Sequence, residues 1–131
     1  MPDLPFNPTT KLGYLETIGR ASGQHRETEI WFAAEPGAIY ILSGGGLAKD
    51  WIRNFQKSPQ VRFRVDGTWV SGTARVVEDP VLEARIRRLV AGKYYDFDPD
   101  GSDPLPNEWS RTSAPVAIDL DYVSARGTPS C

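Results

Sequence analysis

Ile30-Trp31-Phe32-Ala33-Ala34-Glu35-Pro36-Gly37-Ala38-Ile39-Tyr40-Ile41-Leu42 is the stretch that decides the fold class. Two short apolar runs, 30–34 and 39–42, flank a turn in which proline pre-sets φ and glycine is free to take φ > 0, so the segment predicts a β-hairpin. Outward from it, the turn-rich 19–24 segment lies between Leu12–Ile18, which reads as a short helix or a strand, and the first run. A strand is favoured there, joined by a loop to the hairpin. On the other side, Ser43-Gly44-Gly45-Gly46 leads into Leu47, Trp51, Ile52 and Phe55, spaced along one helical face while Lys49, Asp50, Arg53 and Lys57 fall mainly elsewhere. That predicts an amphipathic helix over Leu47–Lys57, stopped before Pro59.

Val61, Phe63 and Val65 alternate with Arg62 and Arg64, and Asp66-Gly67 turns the chain into a strand over Trp69–Val77, which gives a second hairpin. Asp79-Pro80 is an N-cap and N1 pair for a helix over Pro80–Ala91, with Leu82, Ile86 and Leu89 as its apolar stripe and Gly92 as its C-terminal stop. Tyr94–Ser110 is rich in Asp, Pro and Gly and reads as a long loop, and loops of that length are usually functional or disordered. Val116, Ile118 and Leu120 form a last strand. About six antiparallel strands with two or three short helices must bury one sheet face, and a small barrel does so while removing free edges. The expected class is mainly β (α+β), a single domain over 1–131 with 1–10 as an extended arm set by Pro2, Pro5 and Pro8.

The chain has 131 residues and a net charge of −2, so no global basic field exists to attract nucleic acid. A hydrophobic fraction of 40% with four Trp, five Tyr and five Phe makes a folded domain, not a disordered one. Cys131 is the single cysteine and His25 the single histidine, which excludes an internal disulfide and leaves a metal site to carboxylates. No metal is expected, and the location expected is a reducing cytoplasm. There is no secretory leader pattern at the N-terminus and no apolar run near ~18 residues that would span a membrane. A homodimer is compatible with the sequence.

Chemistry concentrates in Arg20, Ser22, Gly23 and Arg26. Two guanidinium groups, a hydroxyl and a glycine backbone around one turn suit a phosphate or carboxylate, although such a cluster is also an ordinary solvated hairpin loop. Ser43, Gly44 and Gly45 lack the Gly-Lys-Ser/Thr of a P-loop and the Gly-x-Gly-x-x-Gly of a dinucleotide fold, so ATP and Rossmann-type binding are disfavoured. One histidine gives no legible Ser-His-acid triad, and catalytic residues are unknown at this level. Tyr94, Tyr95, Phe97 and Trp109 in or beside the long loop line a pocket or simply pack.

The combination of Gly19-Arg20-x-Ser22-Gly23-Gln24-x-Arg26, Ser43-Gly44-Gly45, Asp50-Trp51-x-Arg53-Asn54 with Ser58-Pro59, and Gly72-Thr73-Ala74-Arg75 resembles the deazaflavin-dependent nitroreductase family, within the flavin-reductase-like split β-barrels. The likeness runs from about Leu12 to the last strand. It implies a reductase that binds coenzyme F-420, an 8-hydroxy-5-deazaflavin with a phosphate and a polyglutamate tail, and passes its hydride to a quinone, nitro compound or other unsaturated acceptor. Arg20, Ser22 with Gly23, and Arg26 would then hold the phosphate. Ser43, Gly44 and Gly45 would present backbone donors to the ring, with Trp51 and Asn54 shaping its slot. Tyr94, Tyr95 and Trp109 would wall the acceptor pocket. Where some relatives carry lysines, Ala21 and Gly44 stand here, removing positive charge from the phosphate and tail region. An FMN-dependent oxidoreductase on the same barrel, and a non-catalytic binder of coenzyme, lipid or haem, remain the alternatives.

Overall fold

A computed structural model describes residues 4–121, and its seven strands form one antiparallel sheet. They are β1 (Gly13–Ile18), β2 (His25–Ile30), β3 (Ala33–Glu35), β4 (Ala38–Ser43), β5 (Gln60–Val65), β6 (Thr68–Val76) and β7 (Ala114–Leu120), in the order β2-β1-β5-β6-β7-β4-β3. Three helices accompany them: α1 (Asp50–Lys57), α2 (Pro80–Tyr94) and α3 (Glu108–Thr112). The result is the expected mainly β split barrel.

One expectation fails in an informative way. The run 30–34 is not a single strand of the decisive hairpin. Its first residue ends β2, which pairs with β1 through Gly13↔Ile30, whereas Ala33 begins β3, which pairs with β4 through Ala33↔Tyr40. Since β2 and β3 are the two outer strands of the sheet, only Trp31 and Phe32 connect its opposite edges. Three residue steps reach at most about 11 Å, so the sheet must curl until its edges nearly meet. This split supplies the seventh strand. The turn inside the hairpin is as anticipated, with Gly37 at φ 93°, and the Asp66-Gly67 turn has both residues at positive φ (51° and 81°), the geometry that matches strand twist.

The concave face holds the main core: Leu15, Ile39, Ile41, Phe63, Val116 and Ile118 point inward, and Trp51, Ile52 and Phe55 of α1 cap them. A second layer lies behind β4 and β7, where Tyr40, Leu42 and Ala117 meet Ile86 and Val90 of α2. Burial on both faces explains why 39–43 is buried without alternation. The anticipated helix at Leu47 starts later. Gly46–Ala48 is a single 3-10 turn with Leu47 half exposed, and Lys49, in extended backbone, separates it from α1.

Nor does Gly92 end its helix. It lies inside α2, and a Cβ there would approach Pro99 Cδ to 2.9 Å, so the glycine serves the close passage of the following loop. Arg88 fixes that loop by donating to the carbonyls of Pro99, Gly101 and Asp103. In the N-terminal segment expected to be extended, Asn7 and Thr10 close a turn and Phe6 is buried against Phe32. Cys131 and residues 1–3 lie outside the described residues.

Candidate functional site

The β1–β2 connection is built to hold its shape. The Gly19 N–H donates to the Gln24 carbonyl at 2.7 Å and Gly23 N–H to the Gly19 carbonyl at 2.8 Å. The Ser22 hydroxyl accepts the Gln24 N–H at 3.1 Å and keeps its own proton for a further acceptor. Gly23 sits at φ 73°, where a side chain would be strained. Beside this turn opens a cleft of about 450 Å³ lined by Thr17, Gly19–Ser22, Arg26, Thr28, Asp50, Trp51 and Asn54. Five of the residues expected in the cofactor site therefore meet: Arg20, Ser22, Arg26, Trp51 and Asn54.

Their roles differ. Buried Asn54 accepts two hydrogen bonds from Arg20, from its backbone N–H at 3.1 Å and Nη1 at 2.9 Å, and donates to Thr17 Oγ1 at 3.3 Å. Lys57 Nζ donates to the Arg20 carbonyl at 2.8 Å. Arg20 is thereby fastened to α1, and its Nη2 also reaches Asp50 Oδ1 at 3.2 Å. The Arg26 guanidinium has no hydrogen bond or ion pair among the described residues. Its position opposite Thr17 in the β1–β2 ladder puts both on the cleft side of the sheet. A fixed guanidinium, a free one and a hydroxyl with a spare proton are a donor set that fits a phosphate.

The remaining expected residues are elsewhere. Gly23 forms the turn without lining the cleft. The Ser43 hydroxyl is spent, donating to the Gly46 carbonyl at 2.9 Å, so it braces its own loop. Gly44 and Gly45 are exposed outside the cleft. A Cβ on Gly44 would stand 3.1 Å from the Trp109 indole, while one on Gly45 would collide only with the movable end of Lys49. The 43–48 loop passes Trp109 and joins Leu42, which lines a second cleft of about 440 Å³, to Asp50 in the arginine cleft.

That second cleft is lined by Leu12, Glu29, Ile30, Trp31, Leu42, Tyr95 and Trp109. Tyr95 and Trp109 are the expected pocket wall, but the hub is Trp31, which the apolar run 30–34 places only in a strand. Trp31 stacks on Tyr94 at 4.3 Å between centroids and meets Trp109 edge-on at 5.7 Å and Tyr95 at 6.4 Å. The detectable signal was the unbroken apolar run 30–34, which no alternating strand explains. Thr17 and Thr28 were missed as well, and Thr28 was recoverable as the strand neighbour two residues from Arg26.

Tyr94 corrects an expectation. It is the last residue of α2, and it does not line the second cleft. Its hydroxyl accepts the Phe32 N–H at 3.0 Å and lies 2.6 Å from the Lys11 carbonyl and 3.1 Å from that of Phe32, serving the backbone where the sheet has no ladder. Burial raises its pKa, with the Phe32 hydrogen bond opposing. Tyr94→Phe should therefore cost about 1–3 kcal/mol of stability, measured by urea denaturation, because it orphans a backbone group. An unchanged midpoint would remove the hydroxyl from the seam.

Beneath the same seam Lys93 Nζ is enclosed without a hydrogen-bond partner, 3.4 Å from the Phe32 ring centroid. Burial first, then Lys11, lowers its pKa from 10.5 to about 8. Between those values the unfolded chain binds more protons than the folded one, so this residue makes stability rise with pH across that window. Lys93→Met should be more stable than the wild type at pH 7, and the difference should shrink as pH passes 8 toward 10.5. Denaturation at several pH values tests this, and a difference that does not change with pH would overturn it.

The half-barrel of seven antiparallel strands with three helices has the split β-barrel architecture. Residues 5–106 match the model of the F420H(2)-dependent quinone reductase family, and the chain belongs to that family. It is an F420-dependent reductase with coenzyme F-420 as its cofactor. Among solved structures, it is similar to an F420-H2 dependent reductase at 17% identity and TM-score 0.64, covering 91% of this chain and 100% of that one. A conserved hypothetical protein from Mycobacterium tuberculosis shares 24% identity at TM-score 0.67, covering 85% of this chain and 73% of that one. A protein described as a domain-swapped dimer shares 19% at TM-score 0.64, covering 87% and 81%. No curated protein matches the chain. Among the described residues no helix is long and apolar enough to cross a membrane, and no group of three or more His, Cys, Asp or Glu is placed to hold a metal ion.

Proposed function

We propose that this reductase delivers hydride to a flat, uncharged acceptor, a quinone or nitroaromatic, held in the Trp31 cleft. Arg26, Arg20 and Ser22 would hold the coenzyme's phosphate. The observation that carries this reading is the shared face of β2. Arg26 and Thr28 line the arginine cleft, and Ile30, next on that face, lines the aromatic one. Thr28 and Ile30 are about 7 Å apart along the strand, so one bound molecule can have its anionic part in the first cleft and its ring at the second. When bound, the coenzyme supplies the hydride. The protein's part is orientation and a dry, aromatic surface for the acceptor. Gly44 and Gly45 would offer backbone donors at the ring edge, with Ser43 bracing them, and Trp51 and Asn54 would shape the inner wall.

The test is oxidation of reduced coenzyme against a panel of quinones and nitro compounds. Trp109→Ala should lower turnover at least about tenfold while coenzyme affinity stays within about threefold. Tight binding with no oxidation above buffer across the panel would favour a non-catalytic binder, and FMN binding tighter than the deazaflavin would favour the flavin alternative. The same reading places the protein in the cytoplasm, where reduced coenzyme would be replenished. A homodimer is part of it too, supported by the outer edge of β2, which has no strand partner among the described residues, and by the domain-swapped neighbour. Light scattering at micromolar concentration reads the oligomeric state.

A further inference from the structure

The arginine cleft contains a negative charge of its own. Asp50, the first residue of α1, lines it with its side chain 84% exposed and Oδ1 3.2 Å from Arg20 Nη2. Arg20 does not depend on this carboxylate for its position, because Asn54 already holds it at both the backbone N–H and Nη1. The ionisable residues lining the cleft are Arg20, Arg26 and Asp50, so its formal charge is one positive instead of two. Ala21, at the cleft's rim, adds none.

We propose that Asp50 is a specificity-determining residue that makes this cleft favour a phosphate diester over a terminal phosphate monoester. A monoester carries close to two negative charges at neutral pH and a diester carries one. Repulsion from a fixed carboxylate scales with the charge on the group seated beside it, so at equal distance a monoester phosphate loses about twice as much as a diester. The phosphate of coenzyme F-420 joins its ring side chain to its tail and is a diester, whereas that of FMN is terminal. Asp50 therefore turns a generic anion cleft into one that discriminates against FMN. This rests on the reading of the cleft as the phosphate seat.

FMN and riboflavin have the same ring and sugar chain and differ in the phosphate alone, so their affinity ratio isolates the effect. Flavin fluorescence titrations would compare wild type, Asp50→Asn and Glu78→Gln. Glu78 is exposed, lies outside the cleft, and gives the same change in net charge. Asp50→Asn should tighten FMN about tenfold and coenzyme F-420 about threefold, leave riboflavin within about twofold, and lose its advantage in about 0.5 M salt. Glu78→Gln should leave all three within about twofold. A ratio of FMN to riboflavin affinity that stays within about twofold of wild type, FMN still unbound by Asp50→Asn, or coenzyme F-420 tightened as much as FMN overturns the proposal. Weaker FMN binding does so too, showing that the carboxylate holds Arg20 for the ligand. Failure of the underlying reading looks different: Arg26→Ala would then leave coenzyme F-420 affinity unchanged, whereas with the seat intact it weakens binding and only the Asp50→Asn ratio fails to move.

Discussion

Phe32→Ala is expected to lower global stability by about 3–5 kcal/mol, the usual cost of emptying a fully enclosed aromatic site. Phe32 has no exposed surface and packs edge-on against Phe63 at 5.1 Å and Phe6 at 6.0 Å. Because it lies in the two-residue link between the sheet's opposite edges, collapse around the cavity would require both edges to shift together. Against a total of about 5–15 kcal/mol for a typical domain, such a loss is large. Phe32→Leu keeps most of the volume and should cost about 1.5 kcal/mol or less. Urea denaturation of both variants reads this directly. If the alanine variant lost under about 1 kcal/mol, the link would not be integral to the barrel.

This link also marks where sequence reading stopped being sufficient. The Asp66-Gly67 and Pro36-Gly37 turns, the alternation at Val61, Phe63 and Val65, and the Asp79-Pro80 helix start are local signals, and each produced its element. The division of 30–34 between β2 and β3 is not local. It is set by the partners each half finds, β1 on one side and β4 on the other, and both halves are equally apolar in sequence. Helix ends failed for a similar reason. Gly92 looks like a stop, but the Pro99 contact that requires a glycine comes from a loop seven residues on.

In the site, the arginine cluster was legible because its turn carries its own chemistry. The Trp31 hub was not, since its neighbours Tyr94, Tyr95 and Trp109 arrive from α2, the loop after it, and α3. The bracing role of the Ser43 hydroxyl was not legible either, because the Gly46 carbonyl that takes its proton is invisible without the loop's geometry.

Arg26→Ala is expected to weaken coenzyme F-420 binding about ten- to a hundredfold, the loss of one charge-assisted contact worth about 1.5–3 kcal/mol, without moving the denaturation midpoint. The separation of the two readouts follows from the contacts. The Arg26 guanidinium has no hydrogen-bond or ion-pair partner among the described residues, so its removal orphans nothing in the folded chain. Arg20→Ala would also weaken binding, but it removes the Nη1 bond to buried Asn54, so its effect mixes affinity with stability. Arg26→Lys keeps the charge and loses the planar pair of donors, and should fall between alanine and wild type. Titrations beside urea denaturation distinguish the cases. Unchanged affinity in a folded Arg26→Ala protein would remove this guanidinium from the phosphate seat. The neighbouring Ser22 hydroxyl and Arg20, the latter already paired with Asp50, would then have to hold the anion by themselves.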